Sequence, residues 1–293
     1  MLLAIDVGNT QTVIGVFDDL SSSVDLTGRQ PGELPGLGHS WRISTVGDRT
    51  ADEYAVMVGQ LLATAGIVLG AVGGSGAAGA RAATPRVIEG VVVSSSVPAV
   101  TAALRQMVVA WPAVSLVVVE PGIRTGMPIL YDNPREVGAD RIVNAVGAVD
   151  LFGGPAIVVD FGTATTFDVI SARGEYLGGA IAPGLEISMG ALFENAAALR
   201  RVELVAPTSV VGRSTVESMQ SGAVFGHAAL VDGLCRRIFA EFGEAQVIAT
   251  GGLCAVVAPH TEVVGSVEPW LTLHGLRILY ARNIPPDAED VIR

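Results

Sequence analysis

Lysine is missing from this chain: all 18 basic residues are arginine, against 29 aspartates and glutamates, and the net charge is −11. A Walker A loop needs its lysine to reach the nucleotide phosphates, so that class of nucleotide-binding protein is excluded. The arginines form no run, and an acidic chain without a basic cluster repels nucleic acid. The sequence therefore predicts no nucleic-acid partner.

Cysteine and histidine are also scarce. Two cysteines, Cys235 and Cys254, are too few for a disulfide framework or a zinc site, and the four histidines are scattered without metal-ligand spacing. No G-x-S-x-G occurs, so a Ser–His hydrolase has no support. The opening MLLAID lacks a basic flank and reaches Asp6 too early for a signal peptide. These features predict a cytoplasmic protein.

Charge is absent between residues 54 and 80, and VMVGQLLATAGIVLGAV there resembles a membrane span. However, Thr50 and Glu53 form a capping-box pattern, and glycines interrupt the apolar run. We therefore predict a buried helix over about 51–65, a strand or loop after it, and no membrane partner. Segments 19–38 and 70–86 are low in complexity and predict flexible insertions. The one G-x-G-x-x-G, GSGAAG at 74–79, opens no capped helix, which argues against dinucleotide binding.

Half of the 293 residues are hydrophobic, enough for a substantial core. Buried Val- and Ile-rich strands alternate with helices, which predicts an α/β fold with mixed sheets covered on both faces. We expect strands at 2–7, 12–17, 39–45, 87–93, 115–120, 156–160, 176–181 and 247–250, with a hairpin over 158–170. We expect helices at 51–65, 99–111, 141–152, 185–198, 214–242 and 271–283.

One pattern occurs twice. IDVGNTQTVIGVF at 5–17 and VVDFGTATTFDVI at 158–170 each place an aspartate, a glycine and threonines between two apolar runs, 154 positions apart. VVVSSSVPA at 91–99 and VIATGGLCA at 247–255 repeat at a similar offset of about 156. Two offsets that agree predict a duplicated α/β unit, with domains at 1–150 and 151–293.

The repeated hairpin is suited to phosphate and metal. An aspartate that ends a buried strand is costly unless it is paired or holds a cation. Glycine lets the backbone approach a ligand, and turn N–H groups beside small hydroxyl and amide side chains form a phosphate cradle. The alternative is a tight hairpin with a polar tip. Two copies in a duplicated fold favour the cradle.

The paired D-x-G hairpins resemble the phosphate loops of the acetate and sugar kinase, heat-shock ATPase and actin superfamily. More narrowly, DVGNT, YDNPREVGADR, VVDFGTATT, YLGGAIAPG, TVESMQSG and ATGG, in this order, resemble type III pantothenate kinases. The resemblance covers nearly the whole chain apart from the insertions. It implies two ribonuclease H-like (actin-like ATPase) domains with an ATP cleft between them, and a terminal helix that packs back on the first domain.

The resemblance also implies a nucleotide site. The first loop would bind the ATP phosphates through Asp6, Val7, Gly8, Asn9, Thr10, Gln11, Thr12 and Val13. Thr163 would contact the same phosphates, and Asp6 would lie near magnesium. Asp160 would hold a monovalent cation, potassium or ammonium. Gly251 and Gly252 fall where the superfamily approaches the nucleoside.

The substrate site implied by the resemblance comprises Tyr131, Gly138, Ala139, Asp140, Arg141 and Thr215. Asp140 would accept the proton of the attacking hydroxyl, which agrees with the need of phosphoryl transfer for an oriented nucleophile. Alternatively, Asp140 caps the following helix or pairs with an arginine. Arg141 could bind the substrate carboxylate or form a structural salt bridge. Tyr131 and Thr215 could equally be packing or capping residues.

The activity implied is ATP-dependent phosphorylation of pantothenate to 4'-phosphopantothenate, the first step of coenzyme A biosynthesis. The family resemblance implies a homodimer with the substrate pocket at the interface, and the apolar stretches 142–149 and 180–192 are candidates for burial there. Internal core is the alternative for each stretch. Two other functions stay open: a kinase-like regulatory protein without turnover, and a different small-molecule kinase of the superfamily.

Overall fold

The structure is a computed structural model that describes residues 1–20, 28–69, 86–111, 113–196 and 199–284. Nearly all of the predicted insertion at 70–86, including the GSGAAG motif at 74–79, lies outside the described residues. Residues 21–27 of the predicted insertion at 19–38 lie outside them as well.

Seven strands precede residue 150 among the residues that the structure describes. They are β1 (Leu2–Val7), β2 (Gln11–Phe17), β3 (Leu37–Ser44), β4 (Ile67–Leu69), β5 (Arg86–Ile88), β6 (Gly90–Ser95) and β7 (Ser115–Val118). Five of them form a sheet in the order β3-β2-β1-β6-β7, in which β2 is antiparallel to β1 and β3 while β6 and β7 run parallel to β1. The single strand expected at 87–93 is wrong, because Glu89 separates β5, which pairs with β4, from β6.

Five further strands form the second sheet. They are β8 (Ala156–Phe161), β9 (Ala164–Ile170), β10 (Tyr176–Pro183), β11 (Gln246–Thr250) and β12 (Val264–Val267). Their order, β10-β9-β8-β11-β12, and their directions repeat those of the first sheet. The duplicated ribonuclease H-like architecture is therefore confirmed, although the sequence did not predict β12. The domain boundary between residues 150 and 151 stays a prediction.

The helices flank both sheets. They are α1 (Ala51–Thr64), α2 (Pro98–Val109), α3 (Ala139–Phe152), α4 (Leu185–Asn195), α5 (Thr215–Phe242), α6 (Cys254–Val257) and α7 (Leu271–Asn283). The capping box at α1 is confirmed: the backbone N–H of Glu53 donates to Thr50 Oγ1 at 3.3 Å, and Glu53 Oε2 accepts from the N–H of Thr50 at 2.8 Å. Within the described ranges, no helix has the length and apolarity that a membrane crossing requires.

Two helices pack together at the centre of the molecule. Helix α7 contacts β1 and β6 of the first sheet as well as α3, while α3 also contacts β8 and β9. The two helices lie unusually close, because a Cβ at Gly275 would come within 2.0 Å of the carbonyl oxygen of Val143. The apolar residues of α3 between 142 and 149 are thus internal core. Because α3 contacts strands of both sheets, its first turn is held between them.

Candidate active site

A cavity of about 310 Å³ lies where the two repeated hairpins face each other. Thr10 and Thr163 join the hairpin tips through a hydrogen bond of 3.1 Å between their hydroxyls. Most of the residues predicted for the nucleotide line it: Asp6, Gly8, Asn9, Thr10, Gln11, Val13, Asp160, Thr163, Gly251 and Gly252. Asp140 lines the same cavity, so the structure brings the predicted proton acceptor to the predicted phosphate loops.

Two residues of the first loop do not line this cavity. Val7 is core, and Thr12 is buried with its hydroxyl 2.8 Å from that of Thr45. Because alternate residues of a strand point to opposite faces, a loop that runs into β2 cannot present every side chain to one ligand. The turn itself is closed by a hydrogen bond from the N–H of Gly8 to the carbonyl of Gln11 at 3.0 Å.

Three aspartates share the cavity with Glu186. Burial raises the pKa of Asp6 to about 8, and the charges of Asp140 and Asp160 add to the rise. Burial likewise raises the pKa of Asp160 to about 7, with a further contribution from Asp140, against the hydrogen bond from Asn144. Acidic groups with raised pKa values gain most from a nearby cation, because a cation favours their charged form. The cavity is therefore electrostatically suited to cations that accompany a phosphate.

The carboxylate of Asp160 is held in one orientation. Asn144 Nδ2 donates to Asp160 Oδ2 at 2.9 Å, and Thr272 of α7 donates to Asn144 Oδ1 at 2.7 Å. Sequence reasoning missed Asn144 and Thr272. A signal was available for Asn144, because it follows Asp140 by four positions and so lies on the same face of α3.

Asp140 is the second residue of α3, next to the cleft. Its Oδ1 accepts from the backbone N–H of Arg141 at 2.8 Å, so one carboxylate oxygen is engaged by the first helical turn. No described arginine forms an ion pair with Asp140. Neither structural alternative is realised among the described residues, because the N-cap of α3 is Gly138 without a side-chain cap hydrogen bond and no arginine pairs with Asp140.

Arg141 forms a buried salt bridge. Its Nε donates to Asp168 Oδ1 at 2.7 Å, and the hydroxyl of Tyr176 donates to the same oxygen at 2.8 Å. Burial raises the pKa of Asp168 to about 6, and the positive charge of Arg141 opposes that rise. Tyr131 packs beside this group, with its ring centroid 6.4 Å from that of Tyr176. The structural alternative for Arg141 is therefore realised, and its contact with substrate stays a prediction.

Thr215 lies away from the cleft and from the other predicted substrate residues. It is the first residue of α5 and lines a second cavity, of about 1,090 Å³, between α4 and α5. That cavity also includes Arg213 and Ser218 but none of the cleft carboxylates. Within one chain, Thr215 is thus not gathered with the G-A-D-R segment.

Duplicated mixed sheets with paired turns over a carboxylate-lined cleft are the architecture of the actin-like ATPase fold. A solved Campylobacter jejuni protein, provisionally described as a Baf family transcriptional activator, is similar in fold, with a TM-score of 0.54 and 14% identity over 96% of this chain and 98% of that one.

Sequence comparison then identifies the family. Residues 2–237 match the family described as type III pantothenate kinase. The chain is 50% identical to a type III pantothenate kinase from Streptomyces avermitilis over 97% of this chain and 99% of the relative. It is 49% identical to one from Myxococcus xanthus with the same coverage. The chain belongs to the type III pantothenate kinase family.

Proposed function

We propose that the protein transfers the terminal phosphoryl group of ATP to the primary hydroxyl of pantothenate, giving 4'-phosphopantothenate for coenzyme A biosynthesis. The observation that carries the proposal is identity of about half over nearly the full length of proteins named for this activity. The position of Asp140 in the cleft, beside both hairpins, supports it.

The division of roles follows from the chemistry of the reaction. Phosphoryl transfer requires an in-line nucleophile and stabilisation of charge on the transferred group. The hydroxyls of Thr10 and Thr163 are proposed to bind the phosphates, together with backbone N–H groups of the two turns other than those of Gly8 and Gly162, which donate to Gln11 and Ala164. Asp140 orients the pantothenate hydroxyl and accepts its proton as the new O–P bond forms and the bond to ADP breaks.

We propose that Asp6 lies near magnesium and that Asp160 holds potassium or ammonium. The described residues include no group of three or more His, Cys, Asp or Glu side chains arranged to hold a metal. That fits magnesium, which usually takes one or two carboxylates together with substrate phosphates and water. The raised pKa values of Asp6 and Asp160 support cation binding, since a cation relieves the cost of their charged forms.

A homodimer is proposed with the α4–α5 side as its interface. Several apolar side chains on or near these helices are exposed: Ile181 at 65%, Ile187 at 50%, Leu192 at 41%, Val210 at 68%, Val211 at 77% and Val216 at 50%. Exposed apolar clusters mark interaction surfaces. Dimerisation there would bring Thr215, which lies at the start of α5, to a substrate pocket of the neighbouring subunit. Of the two stretches predicted for this interface, 142–149 is wrong because it is internal core.

A cytoplasmic location is also proposed. Cys235 and Cys254 are both free and buried. Burial raises the pKa of each thiol, which keeps them in the unreactive protonated form. Unpaired structural cysteines support a reducing compartment.

A coupled assay of ADP release, with pantothenate set against a panel of sugars and carboxylic acids, tests the proposed reaction. We expect pantothenate-dependent turnover and a product of the mass of 4'-phosphopantothenate. Turnover with another alcohol would favour a different kinase of the superfamily. ATP binding without turnover on any member of the panel would favour a regulatory protein.

A further inference from the structure

The cleft contains one basic side chain among many acidic groups. Its charged lining residues are Asp6, Asp140, Asp160 and Glu186, together with Arg42, the one arginine that lines it in the described part of the chain. A nucleoside triphosphate carries several negative charges. Without a basic side chain in the cleft, bound metal ions would have to neutralise both these charges and those of the carboxylates. The chain contains no lysine to help. Arg42 is therefore the side chain whose charge is most needed in the cleft.

Arg42 belongs to β3, directly beside the first hairpin. Its backbone pairs with that of Val13, and its Nη1 donates to Gln11 Oε1 at 2.9 Å. This is the one hydrogen bond that the side chain makes to a described residue, and no described carboxylate lies within ion-pairing distance. A guanidinium carries five N–H donors, so most of those on Arg42 are available to a ligand.

Gly252 provides the space that the guanidinium uses. A Cβ at this position would lie 2.8 Å from Arg42 Nη1, so any larger residue would displace the arginine. Gly252 follows β11 in the second half of the chain, whereas Gln11 belongs to the first hairpin. The guanidinium thus lies between the first hairpin and the turn after β11, and its hydrogen bond to Gln11 puts it beside the proposed phosphate loop.

We propose that Arg42 is a nucleotide-binding residue that contacts the polyphosphate of ATP. The planar fork of arginine suits two phosphate oxygens at once, whereas a lysine would act as a point charge. Gln11 orients the guanidinium, and Gly252 leaves room for it. The proposal rests on the kinase function proposed above and adds a residue that the phosphate hairpins do not supply.

The test compares Arg42→Gln and Arg42→Lys with Arg173→Gln, a matched control in the exposed turn between β9 and β10. Dissociation constants for Mg·ATP and for adenosine are measured by calorimetry, and the KM values for ATP and pantothenate by the coupled assay. Parent turnover with pantothenate establishes the kinase function separately. Circular dichroism confirms that each variant is folded, and Gly252→Ala displaces the guanidinium without removing it.

We expect Arg42→Gln to raise the dissociation constant and the KM for ATP about 10- to 100-fold, the effect of losing charge-assisted hydrogen bonds. Arg42→Lys should recover part of that loss, and Gly252→Ala should weaken ATP binding in the same direction. Adenosine binding and the pantothenate KM should stay within about twofold. Unchanged ATP affinity in folded Arg42→Gln, an equal loss for adenosine, or a selective rise in the pantothenate KM would each overturn the assignment.

Discussion

The two repeated hairpins share strand order and direction but hold their aspartates differently. Asp160 is fixed by Asn144, which is itself fixed by Thr272. Asp6 has no such amide; its neighbour on β6 is Ser94, whose side chain comes close enough to lower the pKa of Asp6 but makes no hydrogen bond of normal geometry within the described ranges. Burial and the charges of both Asp140 and Asp160 raise the pKa of Asp6 to about 8, whereas the pKa of Asp160 is about 7.

This difference is consistent with the separate roles proposed above for Asp6 and Asp160. A carboxylate locked by a second layer of hydrogen bonds suits a fixed ligand position, because such contacts orient metal ligands. A carboxylate without that support can adjust to a metal–phosphate complex that enters and leaves. The duplication thus supplied two equivalent positions, and residues outside the hairpins made them different.

The largest effect is expected for Asp140, whose charge acts on both aspartates. Asp140→Asn should lower kcat by roughly 10²–10⁴-fold, the usual range for removal of a general base, with little change in ATP affinity. Its removal should also lower the pKa values of Asp6 and Asp160, which NMR titration of the ligand-free protein would measure. Full activity in Asp140→Asn would show that the carboxylate serves only the helix start.

The turn after the fourth strand of each sheet offers the next comparison. Gly251 has φ +92°, and a Cβ there would lie 2.4 Å from Asp160 Oδ1. The corresponding residue of the first repeat, Ser95, bonds to Val97 instead. We expect Gly251→Ala to cost roughly 2–4 kcal/mol in the free energy of unfolding, from left-handed strain and overpacking. Ser95→Gly should cost about 1 kcal/mol, and equal costs in urea titrations would contradict this view of the turn.

Removing the Asn144 side chain, which orients Asp160 but has no counterpart beside Asp6, should have a moderate effect on activation by potassium. Asn144→Ala should weaken activation by potassium about 10- to 100-fold, the typical result of deleting a residue that orients a metal ligand. Ser94→Ala is the matched variant in the first repeat and should leave potassium activation within about twofold. The measurement is the potassium concentration for half-maximal rate, and similar shifts in the two variants would remove the proposed asymmetry.

The last prediction concerns the dependence of stability on pH. Asp6 has a higher pKa in the folded protein than the value of about 3.9 in an unfolded chain, so the folded state binds its proton more tightly. Stability from this group is present below pH 4 and lost as the pH rises toward 8, with a slope of at most about 1.4 kcal/mol per pH unit. The melting temperature of the ligand-free protein should fall less between pH 6 and 8.5 in Asp6→Asn than in the parent. Parallel curves would contradict the raised pKa.

Much of the fold could be predicted because its signals are local. Apolar strands, the capping box at α1 and the repeated D-x-G turns are all readable within short windows. Strand β12 was not predicted, because it has only four residues and two of them, Gly265 and Ser266, have low β-strand propensity. The division of the expected strand at 87–93 into β5 and β6 was not predicted either, because it depends on pairing with β4 and with β1, which are tertiary contacts.

The candidate site was predicted only in part, for a related reason. Motif resemblance located the hairpins and Asp140, whereas Asn144 stands alone in an apolar helix and Arg42 alone in a short strand. Their roles arise from contacts with residues far along the chain, at Asp160 and Gly252. For Thr215 the opposite holds. The family motif assigned it to the substrate site, but within one chain it lies apart from the cleft.

The separate roles proposed for Asp6 and Asp160 are tested most directly by cation binding without turnover. Thallium(I), a potassium substitute with a usable NMR signal, would be titrated into Asp6→Asn and Asp160→Asn in the presence of a non-hydrolysable ATP analogue. We expect Asp6→Asn to retain a saturable thallium signal that potassium displaces and sodium does not, and Asp160→Asn to lose it. Loss of the signal in Asp6→Asn together with its retention in Asp160→Asn would contradict the assignment of the monovalent cation to the second hairpin.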